Sequence, residues 1–354
     1  MLRASGQILP GIAASHFPDR WIALSSLQKS IRRGAAEHAV AATEALWSEP
    51  SRLLDRLLVI GLEDIGVGDL DVLREVIELT TDRNWRRSLP DKGKRATLGL
   101  VERMCAATKS RFSDELLAIA ALEPALSPAR KDLMVASDKQ LMDCIASDSD
   151  IGSRAVATWC LAGTVRYPMD GAPRRQGTLA AVWEAAGALG VPVEFLDLLD
   201  RAARRMRWPL AILLPLAYVS KAGGAPTQLL KDILSETYRG IPLNALDQFT
   251  RRGRAAIASW VAGCPELQAI LQKAAPSAAW LRITRYMVFA VEGQDCSRYL
   301  MWPEQRDILR RSMLAELTGP GLVAAFMDPL LACATANLDA LNECRRHVID
   351  EVAA

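Results

Sequence analysis

Histidine is scarce in this chain: His16, His38 and His347 are the only three in 354 residues. Seven cysteines (Cys105, Cys144, Cys160, Cys264, Cys296, Cys333 and Cys344) include no CxxC pair, so a zinc site of ordinary ligand spacing is not expected. Their odd number, and the apolar neighbours of Cys105, Cys160 and Cys333, fit reduced, packed thiols. No GxxxxGKS or GxxxxGKT loop exists, which removes the backbone cradle and lysine that hold β- and γ-phosphates. The G-x-S-x-G elbow of a serine hydrolase is missing as well. The longest apolar run, Leu210 to Val219, falls far short of the ~20 residues that span a bilayer, and Pro215 interrupts it. The first dozen residues carry one arginine and no apolar core of a leader. A cytoplasmic protein without a membrane anchor is expected. Period-two alternation of β-branched residues is also lacking, which argues against extended sheet.

Apolar residues make up 50% of the chain and charged residues 24%, a globular rather than a disordered composition. The length allows two or three modules. A net charge of +2 is too balanced for a bulk polycation, so any nucleic-acid contact must come from local clustering of arginine. The periodicity is helical nearly everywhere. Leu53, Leu54, Leu57, Leu58 and Leu62 paint one broad apolar stripe, and Val72, Leu73, Val76, Ile77 and Leu79 paint another. Ser113-Asp114-Glu115 and Ser137-Asp138 read as helix starts, and Pro192 falls in the first turn of a helix over 194–205. Breaks fall at 88–93, 167–177 and 221–226, with Pro168, Gly171, Pro173 and Gly177 crowding the second. The expectation is an all-α, irregular multi-helix bundle. Its parts are an extension over 1–20, a helical domain over 21–166, a linker over 167–177 and a second helical domain over 178–354.

The most informative stretch runs from Arg52 to Asp69, an amphipathic helix ending in Glu63-Asp64-Ile65-Gly66-Val67-Gly68-Asp69. Gly66 and Gly68 can close a helix, and Asp69 can cap the next one by accepting from its free N–H groups. Glu63 and Asp64 fall in the last turn of the first helix, the wrong end of the dipole for acids. A partner arginine, another subunit or solvent must compensate them. Together with Asp69/Asp71 and Asp148/Asp150, this acid pair reads as solvated caps ahead of a metal or acid–base site.

Two blocks, Leu24 to Gly34 and Arg52 to Asp69, resemble the C-terminal helical region of the replication-associated recombination AAA+ ATPases (the MgsA/RarA and WRN-interacting ATPase family). Lys29, Ser30, Ile31, Arg32 and Gly34 match the first block. Arg56, Leu57, Glu63, Asp64, Ile65, Gly66 and Asp69 match the second, in the same order and spacing. The resemblance covers about residues 21 to 80, under a fifth of the chain. Leu70 stands where the family has proline, and Gly68 where it has another small residue. The resemblance implies a clamp-loader-type collar over the N-terminal half, through which those ATPases oligomerise, with Lys29, Arg32, Arg56, Glu63, Asp64, Gly66 and Asp69 as motif and interface candidates. The ATPase core is absent, so nucleotide hydrolysis by this chain is not expected. Asp247, Thr250, Gly253 and Arg254 further resemble a segment of stand-alone proteins with this helical region, with Phe249 replacing a histidine. Read without the resemblance, Asp247 and Arg251 form an i, i+4 surface pair worth a few tenths of a kcal/mol.

Three arginine clusters remain. Arg83, Trp85, Arg86 and Arg87 continue to Lys92, Lys94 and Arg95. A second gathers Arg201, Arg204, Arg205, Arg207 and Trp208, and a third Arg251, Arg252 and Arg254. Guanidinium groups beside exposed tryptophan suit phosphate contact with base stacking, whereas solvated helix faces with tryptophan anchored in the core would be structural. The leading expectation is a non-enzymatic interaction protein of DNA replication or recombination that self-associates or docks on a protein partner and touches DNA. A sequence-tolerant nucleic-acid-binding module is the alternative. An enzyme of unrecognised type is a third, which a convergent cleft with a buried carboxylate would favour. No cofactor, catalytic residue, metal ligand or small-molecule substrate is indicated.

Overall fold

The computed structural model describes residues 17–147, 149–169, 172–220, 224–229, 236–293 and 295–353. His16, Asp148, Gly171 and most of the expected 1–20 extension lie outside the described residues. Nineteen α-helices account for nearly all the regular structure there, and the protein is all-α. The first ten are α1 (Arg20–Arg33), α2 (Ala36–Leu46), α3 (Pro50–Ile60), α4 (Leu70–Thr81), α5 (Arg83–Ser88), α6 (Lys94–Ala106), α7 (Phe112–Leu122), α8 (Ser127–Val135), α9 (Asp138–Ala146) and α10 (Ile151–Ala162). The rest are α11 (Leu179–Ala188), α12 (Val193–Arg205), α13 (Leu210–Val219), α14 (Arg251–Gly263), α15 (Pro265–Ala274), α16 (Trp280–Val288), α17 (Gln305–Thr318), α18 (Met327–Ala336) and α19 (Leu338–Ala353). Two small antiparallel pairs interrupt them. Strand β1 (Thr227–Leu229) pairs with β4 (Tyr299–Met301), and β2 (Thr237–Tyr238) with β3 (Ile241–Pro242). Strands of two or three residues are too short to show an alternation in sequence, which is why none was legible.

The apolar stripes face one large core that takes in buried side chains from α1 to α13 and continues through Tyr167 and Met169. Leu53, Leu57, Leu58, Leu73, Val76 and Ile77 are all sealed within it, each contributing on the order of 1.5–3 kcal/mol of transfer free energy. A second cluster, from Ile257 to Leu341, holds α14 to α19 together. Helix α13, the long apolar run, is buried on every side with Pro215 inside it. Among the described residues no helix is long and apolar enough to cross a membrane.

Local signals worked unevenly. Asp69 accepts from the Val72 N–H at 3.1 Å and caps α4, and Ser137 with Gln140 forms a full capping box on α9. Pro192 is the residue before α12 rather than in its first turn. Ser113 does not cap α7, which starts at Phe112. Its hydroxyl donates instead to the Leu62 carbonyl at 2.8 Å, tying α7 to the end of α3.

That end is unusual. Helix α3 widens into a π-helical turn over Gly61–Ile65, so the backbone at Glu63 and Asp64 departs from the regular ladder. Gly66 then adopts φ 50°, and the segment 108–113 lies against it. The Ser110 N–H donates to the carbonyls of Asp64 and Ile65 at 3.0 and 3.2 Å. A Cβ on Gly66 would sit 2.5 Å from the Ser110 carbonyl oxygen. Gly66→Ala therefore combines left-handed strain with a backbone clash and should cost at least about 2 kcal/mol. Urea denaturation measures this, and an unchanged midpoint contradicts the packing described.

Candidate functional site

Helix α1 is buried nearly all round, including Lys29, Arg32 and Arg33. Three cations taken out of water need partners, and each finds them far away in sequence. Arg32 donates through Nε to Asp64 at 2.7 Å and through Nη2 to Glu63 at 3.0 Å, and its remaining nitrogen donates to the Gly293 carbonyl. Gly293 ends a second π-helical turn, Phe289–Gly293. The Arg32 guanidinium is thus held between two π turns. Burial and neighbouring Arg111 oppose its charge, but Asp64 and Glu63 more than offset them and its pKa rises.

Arg111, at the start of α7, completes the group. It lies 3.4 Å from Glu63, 3.3 Å from Asp64 and also pairs with Asp114. The Phe289 ring stands 5.8 Å from the Arg32 guanidinium and 5.6 Å from that of Arg111. Gln28 donates to Glu63 at 2.9 Å and to Asp64 at 3.1 Å, while accepting from Arg56 at 3.1 Å. The compensation demanded by the acid pair therefore comes from within the chain. Glu63 and Asp64 are not solvated caps, as expected from sequence: Asp64 is fully buried and Glu63 nearly so. Arg111 carries no motif of its own, and nothing in the sequence joined it to residue 63.

Two guanidiniums face three carboxylates here. Burial, with Asp114 and Asp64 nearby, raises the Glu63 pKa to about 7, and Asp114 is also raised by burial. Half-buried Glu316 is pushed to about 7 by desolvation and the nearby Asp114. Glu115, on the next residue of α7, is raised to about 7 by burial against its hydrogen bond to Tyr299.

Asp247 corrects a second reading. It is buried, not on the surface, and its partner is Lys29 rather than Arg251. The Lys29 ammonium lies 2.5 Å from the Asp247 carboxylate, which also accepts from Ser25 at 3.1 Å. Burial lowers the Lys29 pKa to about 8. Thr250 caps α14 by accepting from the Gly253 N–H at 2.9 Å. A Cβ at Gly253 would fall 2.1 Å from the Asp247 carbonyl oxygen. The second motif is thus a socket for the first.

The arginine clusters take a different course. Trp85 and Trp208 are 45% and 57% exposed, so neither anchors the core. Arg205 pairs with Asp55 of α3 at 2.6 Å, and α5 and α12, which carry the first two clusters, both pack on α4. Asp55 and Arg52 line one shallow surface depression with Glu49. Arg52 and Arg20 stand 5.6 and 5.2 Å from the ring of Trp21, itself 48% exposed. Asp19, which caps α1 beside Trp21, pairs with Arg252 at 3.6 Å. Contacts through α1 and α3 thus link the clusters into an arginine–tryptophan ridge that also carries acids: Glu49 lies 3.6 Å from Arg20 and 3.0 Å from Arg52. Trp21, Arg20 and Arg52 were missed in sequence because no cluster surrounds them there. Arg83, Arg87, Lys92, Arg95, Arg204, Arg207, Arg251 and Arg254 are exposed, and Lys94 lies 3.9 Å from Glu44.

Substituting Arg32 by Met leaves the buried Asp64 and Glu63 with Arg111 as their one remaining cation and should cost about 3–5 kcal/mol, measured by denaturant unfolding. A loss under 1 kcal/mol contradicts the pairing. Stability should also pass through a trough near pH 7–8. The folded pKa values of Glu63, Glu115 and Glu316 lie above the ordinary 4.5, so the fold binds extra protons and weakens as pH rises from about 4.5 to 7. Lys29 and Lys109, both lowered to about 8 by burial, have the opposite sign, so stability recovers only from about 8 to 9. Above that the buried thiols of Cys105, Cys160 and Cys296, raised from 9 to about 12, 11 and 12, reverse the gain. His38, lowered by burial, opposes the acid limb below its usual 6.5. Thermal midpoints across this range for the wild type and Glu115→Gln test the assignment, because that substitution should flatten the acid limb.

No family model, curated protein or solved structure matches this chain, so its functional reading rests on these residues and their chemistry.

Proposed function

We propose that this protein is an all-α scaffold that docks nucleic acid without sequence preference along the arginine–tryptophan ridge. The observation that carries this is that α5 and α12, the helices of two clusters some 120 residues apart in sequence, both pack on α4, with Trp85 and Trp208 exposed. Guanidinium groups bind phosphates as forked donors, and indole faces stack on bases of any identity. Asp55 orients Arg205, which stays on the surface, whereas the Arg252 nitrogen that faces Asp19 is buried, so of these two it is Arg205 that is presented to a polyanion. The resemblance of residues 21–80 to the recombination ATPases agrees with a place in DNA maintenance. Its collar likeness adds an expectation of self-association or of docking on a protein partner.

Binding of labelled single- and double-stranded DNA at about 50 mM salt should weaken steeply as salt rises, with a log–log slope near −2 if about three phosphates are engaged. Arg86→Glu with Arg87→Glu should reduce affinity at least about tenfold, and Trp85→Ala with Trp208→Ala should harm single-stranded binding more than double-stranded. No binding at low salt ends the proposal. Sedimentation as a strict monomer at tens of micromolar removes the self-association expectation separately.

A further inference from the structure

Beside the buried ion cluster lies a partly open cavity of about 200 Å³, lined by Arg111, Glu115, Leu229, Asp295, Cys296, Tyr299, Met301 and Leu309. Its walls come from α7, the β1–β4 pair, the 295–296 segment before β4, and α17. An engineered apolar cavity of about 150 Å³ holds benzene, so this volume suits one small ring.

The polar side of the cavity is specific. Glu115 is 2% exposed. Its Oε1 accepts from the Tyr299 hydroxyl at 2.5 Å, and that hydroxyl accepts from Gln305 Nε2 at 3.0 Å. The other oxygen, Oε2, is buried without a hydrogen-bond partner. Leaving such an acceptor unpaired costs about 1–3 kcal/mol, more when it is ionised, and a ligand donor would recover it. Arg111 does not supply an anion site: Glu63, Asp64 and Asp114 take its charge, and its Nε, though without a hydrogen bond, lies against the Asp64 carboxylate at 3.3 Å. Asp295 pairs with Arg33 at 3.5 Å. The remaining walls offer a thiol, a thioether and two leucines, and divalent sulfur packs well against aromatic rings.

The geometry points to a binding site for a small planar heteroaromatic amine, a molecule with an amidine-like N–H edge such as a nucleobase, held by Glu115 Oε2 with its ring against Cys296, Met301 and Leu309. The site stands apart from the arginine–tryptophan ridge and does not rest on nucleic-acid binding. Anions and purely apolar rings are disfavoured, since one meets carboxylates and the other leaves Oε2 unpaired.

The full chain is titrated with 2-aminopyridine and adenine by calorimetry and ligand-observed NMR at pH 8, with benzoate and toluene as matched controls. Saturable binding of the amines, at least about tenfold tighter than either control, is expected from a charge-assisted hydrogen bond. Glu115→Gln should abolish that preference. Leu309→Trp, at a half-buried wall position, should fill the cavity and block binding while the helical circular dichroism is unchanged. Equal binding of benzoate or toluene overturns the inference, as does no binding of either amine. Binding that survives Leu309→Trp overturns it too, and this variant decides the matter if Glu115→Gln fails to fold.

Discussion

The fold depends on finding partners for positive charge in its interior. Arg32 is almost fully buried, and every one of its nitrogens is engaged, by Asp64, Glu63 and the Gly293 carbonyl. Those partners sit on π turns, where the widened backbone aims a carboxylate or a carbonyl inward. Arg111 and Phe289 complete a layer that is charged, buried and closely packed. A half-satisfied group of this kind is worse than an apolar core, so the positions that build it are tightly interdependent.

Around that layer, the first helix acts as a connector. Lys29 reaches Asp247, Arg33 reaches Asp295 and the Glu292 carbonyl, and Arg345 closes on Glu292 at 2.6 Å from the terminal helix. The chain's two large apolar clusters are therefore joined by ion pairs as well as by apolar contacts, such as Ile308 of α17 in the first core and Ile22 of α1 against Leu246 and Ile349. The ridge outside and the cavity beside the layer share its residues at the edges: Arg56 and Asp55 lie on one helix, and Arg111 and Glu115 on another.

The helical class was legible because the period of the apolar residues in α3 and α4 is a local property. Asp69 as a cap was legible for the same reason. The demand for compensation at Glu63 and Asp64 could also be read, from the dipole of the helix they end. What could not be read was who answers it. Arg111 is 48 positions away and lies in an unremarkable stretch, and only the close passage of segment 108–113 over Gly66 brings it near. Asp247 misled for a related reason: a carboxylate four residues before an arginine looks like a surface pair, yet the backbone turns it towards Lys29. The arginine clusters were visible one by one, while their joining through Trp21 and Asp55 is a property of packing alone.

The partners of the first helix lie 218 or more positions downstream in several cases, as in the Ser297 N–H that donates to the Arg32 carbonyl at 3.0 Å. During synthesis the N-terminal segment emerges from the ribosome long before those residues exist. Its lysine and arginines must stay hydrated until then, so a helix made well before its partners is among the last to be locked.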